Sequence, residues 1–216
     1  MIALIYDPVT HTSRRPDGVE VPHVTAILKA VGVTEDFAAV SAISQRVAES
    51  VEAAAARGTA VHADCHAWDD DDLDIAAVDP RILPYVHAWA QFRLDKGIEP
   101  VVRERQVYHP VFGFTGILDG IFADPYGRRI LVDIKTGDPN DAAGHLQTAA
   151  YEAAYLAAGD VAPIDERWAV RLAPGLAVPY RVVNYTARPD AYLDFSRFSA
   201  CLATYHEQPA RRRRIA

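Results

Sequence analysis

Asp119, Asp133 and Lys135 are the side chains whose types and spacing could do chemistry together. Asp119 stands in the run Gly116-Ile117-Leu118-Asp119-Gly120-Ile121. Strand side chains alternate, so on an extended segment it shares a face with Ile117 and Ile121. A carboxylate between two apolar neighbours is expensive to bury without a partner. Its ordinary alternative is a strand-end aspartate that meets solvent or an arginine. The second segment is Ile130-Leu131-Val132-Asp133-Ile134-Lys135-Thr136-Gly137. Here Ile130, Val132 and Ile134 point one way, and Asp133 and Lys135 the other. Its ordinary alternative is a surface ion pair on a half-exposed strand.

Between the segments, Asp124-Pro125-Tyr126-Gly127 has the Pro and Gly placement of a type I turn. The two segments are therefore expected to be neighbouring strands of a hairpin, with Asp119 and Asp133 converging at one end. Converging carboxylates repel, and a folded protein normally supplies a cation. Hard oxygen ligands suit Mg²⁺, which keeps several waters and takes one or two protein carboxylates. Lys135 would lie beside an attacking water, orient it, and stabilise charge on a phosphate. This is chemistry suited to phosphodiester hydrolysis.

The elements that must position these residues follow from period and punctuation. Residues 2–6 form a short apolar strand, and Pro16-Asp17-Gly18 marks a turn. A helix begins near Val24, where Thr25 can cap and Ile27, Leu28 and Val31 share a face. From 34 to about 68 the Ala-rich chain reads helical, through Val40, Ile43, Val47 and Val51, with Gly58 as a candidate break. Another helix spans about 79–96, with Gly97 as its terminator. Three strands follow at 101–108, 114–123 and 129–135, joined by tight turns into a meander. A helix over 141–158, capped by Asn140 or Asp141, leads to strands at 168–172 and 180–185 and a last helix over 189–206. That order predicts a mixed sheet flanked by helices.

Asp119 followed one hairpin later by Asp133-Ile134-Lys135 resembles the signature of the PD-(D/E)XK nuclease superfamily, with Leu118 where the proline would stand. Three more segments resemble its RecB-like branch, which includes phage and recombination exonucleases. Arg57-Gly58-Thr59-Ala60-Val61-His62 looks like the helix motif whose histidine completes the metal site. Glu104 falls on the preceding strand, where that branch often carries an extra acid. Gln147-Thr148-Ala149-Ala150-Tyr151 looks like its Gln-x-x-x-Tyr motif; four residues apart, Gln147 and Tyr151 share a helix face. Residues 21–28 also resemble an opening segment of phage-type members. The resemblance spans roughly 57–155, with the motifs in family order.

What the resemblance implies is an α/β, restriction-endonuclease-like core with a mixed β-sheet flanked by helices. It implies a Mg²⁺- or Mn²⁺-dependent deoxyribonuclease, an exonuclease rather than an endonuclease, in phage or bacterial DNA recombination or repair. His62, Asp119, Asp133 and the Ile134 carbonyl would hold the metal, and the imidazole makes Mn²⁺ a good competitor. Asp119, Asp133, Lys135 and Glu104 would be catalytic; Gln147 and Tyr151 would bind the nucleic acid. The partner is DNA, single- or double-stranded, without a membrane; a homo-oligomer or a recombination partner protein is compatible. Taken singly, each further residue has a bland explanation: His62 as a satisfied core histidine, Glu104 as a strand residue paired with Arg103 or Arg105, Gln147 and Tyr151 as ordinary helix residues, Thr59 as a cap.

Rival readings are weaker. His62 and His66 stand at i and i+4, as in zinc metalloproteases, but Ala63 replaces the glutamate base and no downstream ligand is evident. An iron–sulfur cluster, as in CRISPR adaptation nucleases of this fold, needs four cysteines, and the chain has Cys65 and Cys201. A catalytically silent DNA-binding or assembly module on the same fold has no use for an intact Asp, Asp and Lys.

The bulk composition is compatible with all of this. At 216 residues, 50% hydrophobic and 24% charged, the chain reads as a single domain, with an N-terminal helical elaboration over about 1–97 and a core over about 98–206. A formal charge of −7 argues against whole-surface affinity for nucleic acid, not against a local basic groove. The run Asp69-Asp70-Asp71-Asp72-Leu73-Asp74 reads as a solvated loop, and Arg211 to Arg214 as a solvated tail or a phosphate contact. No apolar run approaches the roughly 18 residues of a membrane span. The opening residues have no basic leader, and two cysteines make no disulfide framework, so the expected setting is cytoplasmic, in a bacterial cell or phage-infected host.

Overall fold

The computed structural model describes residues 4–7, 12–34, 45–137, 143–159 and 161–208. Three short strands open it, β1 (Ile5–Asp7), β2 (Thr12–Arg14) and β3 (Glu20–Val21), in a small antiparallel sheet. The expected turn at Pro16-Asp17-Gly18 joins β2 to β3, and Gly18 takes the positive φ of 83° that its position requires. Helix α1 (Val24–Ala30) buries Val24, Ile27 and Leu28. Thr25 is not its cap: His23 occupies that position, without a side-chain capping bond.

Helix α2 (Gln45–Asp69) runs without a break through Gly58. Its flanking alanines are strong helix formers and absorb the cost of one glycine. Residues 35–44, including Val40 and Ile43, lie outside the described residues, as do Asn140, Asp141 and the arginines 211–214. Helix α3 (Leu83–Lys96) starts later than its pattern implied, because residues 79–82 form a turn in which the Asp79 carboxylate accepts the Arg81 amide at 2.8 Å. Gly97, at φ 60°, ends α3 as expected.

Five strands make the main sheet: β4 (Glu99–His109), β5 (Phe114–Ala123), β6 (Arg129–Lys135), β7 (Glu166–Leu172) and β8 (Tyr180–Asn184), in that order. Pairing is antiparallel except between β6 and β7, which are parallel. A parallel pair needs a crossover. Helix α4 (Gly144–Leu156) provides it, and helix α5 (Asp194–Glu207) ends the described chain after a 3₁₀ turn. The sheet is mixed and flanked by helices, as expected of a restriction-endonuclease-like α/β core.

Each face of the sheet carries its own core. On one side, α1, α4 and α5 pack Ile27, Leu146, Tyr151, Tyr155 and Phe198 against Val107, Leu118, Ile121 and Leu131. On the other, α2 and α3 pack Val61, Cys65, Trp89 and Phe92 against Phe122, Ile130, Val132 and Ile134. The alternation read in β6 is therefore real, with Leu131 on the first face and its even-numbered neighbours on the second. No helix among the described residues is long and apolar enough to cross a membrane.

The acidic run corrects the expectation of a solvated loop at its first residue. Asp70, Asp71 and Asp72 are exposed, but Asp69 is buried at the end of α2. It accepts from the Trp89 indole at 3.0 Å and pairs with the buried Arg93 guanidinium. Burial pushes its carboxyl up to about 6 even against Arg93. This pair ties α2 to α3. Asp69→Ala leaves a buried cation without its main partner and is expected to cost about 3 kcal/mol in urea denaturation. A loss below about 0.5 kcal/mol would mean that Glu99 and the Ile98 carbonyl suffice for Arg93.

Candidate active site

The β5–β6 ladder runs from Ala123↔Arg129 to Gly120↔Val132 and stops. Strand β6 continues beside β7 as far as Lys135↔Arg171. Past the stop, the Ile134 amide donates to the Asp119 Oδ2 carboxylate oxygen at 2.7 Å. A side chain has thus taken the place of a strand carbonyl, and the register carries Asp119 toward Asp133. The Asp119 carboxylate therefore lies against the β6 backbone one residue beyond Asp133.

Asp119 does not share a simple face with Ile117 and Ile121, as strict alternation would have it. Leu118 and Ile121, three residues apart, belong to the same core. On β4, Val102 packs on that core, and the Arg105 guanidinium lies over the Tyr155 ring at 5.4 Å, again three residues apart. Both strands lose phase together. The pairs Arg103↔Gly120 and Arg105↔Leu118 set Glu104 opposite Asp119, and Glu104 has a φ of 34°. A non-glycine residue there carries backbone strain of order 1 kcal/mol, and such strain gathers at functional sites.

From the second face, α2 brings His62 Nδ1 to 3.2 Å from Asp119 Oδ1. The carboxylate pushes the imidazole up to about 9. Burial alone would raise Asp119, but His62, the Ile134 amide and Lys135 outweigh it and hold the carboxyl below its usual range. His62 is half-buried and ion-paired, not a core histidine. Glu104 is exposed and shares a cleft of about 340 Å³ with Gly58, Thr59, His62 and Ala63. Its expected partners are engaged elsewhere, Arg103 on Asp70 and Arg105 on Tyr155. Thr59 donates to the Ala55 carbonyl within α2 and caps nothing.

From the first face, α4 brings Gln147. Asp133 is buried and pairs with Lys135 Nζ at 2.8 Å. This is no surface ion pair. Gln147 Oε1 accepts from Lys135 Nζ at 3.1 Å, while its Nε2 donates to Asp133 Oδ1 at 3.2 Å and to the Tyr151 hydroxyl oxygen at 3.1 Å. Gln147 and Tyr151 are themselves buried, so both motif residues face the site's own acid and amine. Burial, then the Asp133 charge, push the Tyr151 phenol up, so it stays protonated. Its ring seats on Gly116, where a Cβ would approach it to 2.3 Å. Gly58, expected to allow close packing, is less tight: a Cβ would meet Thr136 Oγ1 at 3.5 Å.

The donor set fits a divalent cation. A nitrogen of His62, a nitrogen of His66 and an Asp119 oxygen lie within 4.8 Å of one another, and the Asp133 charge also acts on His62. The sequence offered His66 only as the i, i+4 partner of His62, with no third donor nearby; Asp119, far along the chain, is the third of the converging donors. The signal was the i, i+4 spacing on α2.

Compared with known families, residues 26–195 match the family model described as PD-(D/E)XK nuclease superfamily. A search of the curated proteins finds no match.

Two outcomes are expected. His62 titrates near 9 in the folded protein against its usual 6.5, so its contribution to stability is full below about pH 6.5 and is lost as pH rises through about 9. In EDTA, the urea midpoint should fall across that window and the fall should flatten in His62→Gln; an equal fall in both proteins would contradict the pairing. Gly116→Ala should displace the Tyr151 ring and cost about 1–3 kcal/mol by the same assay. An unchanged midpoint would mean that the ring shifts freely.

Proposed function

The chain belongs to the PD-(D/E)XK nuclease superfamily, and from that premise we propose that it is a divalent-metal-dependent deoxyribonuclease acting as an exonuclease in DNA recombination or repair. One observation carries the reading: Asp119 reaches across the opened ladder to the Ile134 amide, next to the Asp133–Lys135 pair. We take residues 1–216 as a single nuclease domain working in the cytoplasm.

His62, Asp119, Asp133 and the Ile134 carbonyl would hold Mg²⁺ or Mn²⁺. Such an ion supplies Lewis-acid charge and lowers the pKa of water. The protein's residues do the rest. Lys135 is a cation fixed from two sides, by Asp133 and by Gln147, and is poised to orient a water and to balance charge growing on a phosphate. Water attacks phosphorus, a new P–O bond forms, the bond to the leaving oxygen breaks, and that oxygen takes up the proton. Glu104, at the mouth of the cleft beside His62, adds an acid on the solvent side.

Gln147 and Tyr151 act on the nucleic acid through the groups they hold. Tyr151 also lines a second cleft, of about 410 Å³, with Tyr6, His23, Lys29 and Ile117. One cation, two aromatic rings and an imidazole along that cleft suit a nucleic-acid strand, by phosphate attraction and by stacking.

Lys135→Ala should lower cleavage by at least about 100-fold while its circular dichroism stays that of the parent. Full activity would remove Lys135 from the chemistry. End-labelled linear DNA and covalently closed circles, each incubated with Mg²⁺, Mn²⁺ or EDTA, test the whole reading. Ends that shorten while circles survive, only with metal, are expected. Cut circles would make it an endonuclease; binding without cutting under every condition would make it a silent module.

A further inference from the structure

We propose that His66 is a metal ligand, adding a second imidazole beside His62 and Asp119, so that the centre prefers a transition metal to Mg²⁺. The proposal rests on the reading of His62 and Asp119 as metal residues and adds a ligand that changes which ion they take.

His62 and His66 are four residues apart on α2 and present one face. Their rings stand edge to face with centroids 6.4 Å apart. One nitrogen from each lies within 4.8 Å of an Asp119 oxygen, so three donors from two elements converge. His66 is only 8% exposed, and its Nδ1 has no hydrogen-bond partner. A buried polar nitrogen left that way is costly, and folded proteins rarely tolerate one without a reason. Beside an imidazole and a carboxylate, that reason is coordination: one ring nitrogen of a ligating histidine must face the metal. Cys65, one residue before, packs in the core with Val61 and Trp89 and is not among the converging donors. The donor set is nitrogen and oxygen.

Donor chemistry then sets selectivity. Mg²⁺ is a hard ion that loses water reluctantly and takes oxygen ligands. Imidazole suits Mn²⁺ less than Co²⁺, Ni²⁺ or Zn²⁺, but suits all of these better than Mg²⁺, and two histidines with one carboxylate leave positions open for other ligands. A centre with one histidine would discriminate weakly. With two, the ion is chosen before any substrate arrives.

The test uses the full chain stripped with EDTA and titrated with Mn²⁺ or Mg²⁺ alone by calorimetry, with pulsed electron paramagnetic resonance on the Mn²⁺ form to count coupled imidazoles. Two imidazoles are expected in the parent, and one in His66→Ala and in the space-filling His66→Gln. Mn²⁺ affinity in either variant should fall by at least about 10-fold, the loss that even outer partners of metal ligands produce. Mg²⁺ affinity should change less than Mn²⁺ affinity. One imidazole in the parent, or Mn²⁺ affinity equal in parent and variants, overturns the proposal, and because the count is made on the parent the result does not depend on how well the variants fold. Neither readout needs cleavage. Two imidazoles in a protein that never cuts DNA would leave this inference standing and remove the nuclease reading; one imidazole in an active nuclease would do the reverse.

Discussion

The structure turns on the place where β5 and β6 stop pairing. Up to Gly120↔Val132 backbone meets backbone; beyond it the Ile134 amide is met by the Asp119 carboxylate. A charged acceptor makes that bond stronger than an ordinary ladder bond, so the opening is held and not frayed. Strand β6 keeps its other neighbour, β7, through Lys135. The result is a stiff strand with one side paired and the other side open, with Asp133 and Lys135 at its end. The same place resets the phase of β4 and β5, at the cost of a positive φ at Glu104.

Around this opening the two faces of the sheet contribute different things. Helix α2 delivers imidazoles to Asp119 from one face. Helix α4 delivers an amide and a phenol to Asp133 and Lys135 from the other. Each acid therefore has its own compensating group: His62 for the half-buried Asp119, Lys135 for the buried Asp133. A carboxylate taken from water without such a partner would be costly. The division also separates roles, since the imidazoles suit a metal, whereas the α4 groups fix the amine. The crossover between parallel strands is what places α4 there, so the topology of the sheet and the chemistry at its end are one constraint.

Much of this was legible in the sequence, for reasons that differ by element. The meander and β6 were legible because turn residues and alternation are local signals, and Ile130, Val132 and Ile134 obey them. The partners of Asp119 were only partly legible. His62 came from its motif, whereas His66 showed only as its i, i+4 partner, because the third converging donor, Asp119, stands on a distant strand. The broken phase at Asp119 was invisible, since it arises from two strands shifting together. Asp69 was misjudged because a run of acids looks solvated, whereas Trp89 and Arg93 reach it from another helix. Gln147 and Tyr151 were placed on the right face of α4, but their engagement with Lys135 and Asp133 depends on how that helix lies across the sheet.

The most direct measurement is anomalous diffraction from a crystal of the protein soaked in Mn²⁺. The account predicts one strong peak in bonding contact with the Asp119 carboxylate and the His62 imidazole, at the open end of β5 and β6. A strongest peak on the exposed acids Asp70 to Asp72, with no density at Asp119, would contradict it.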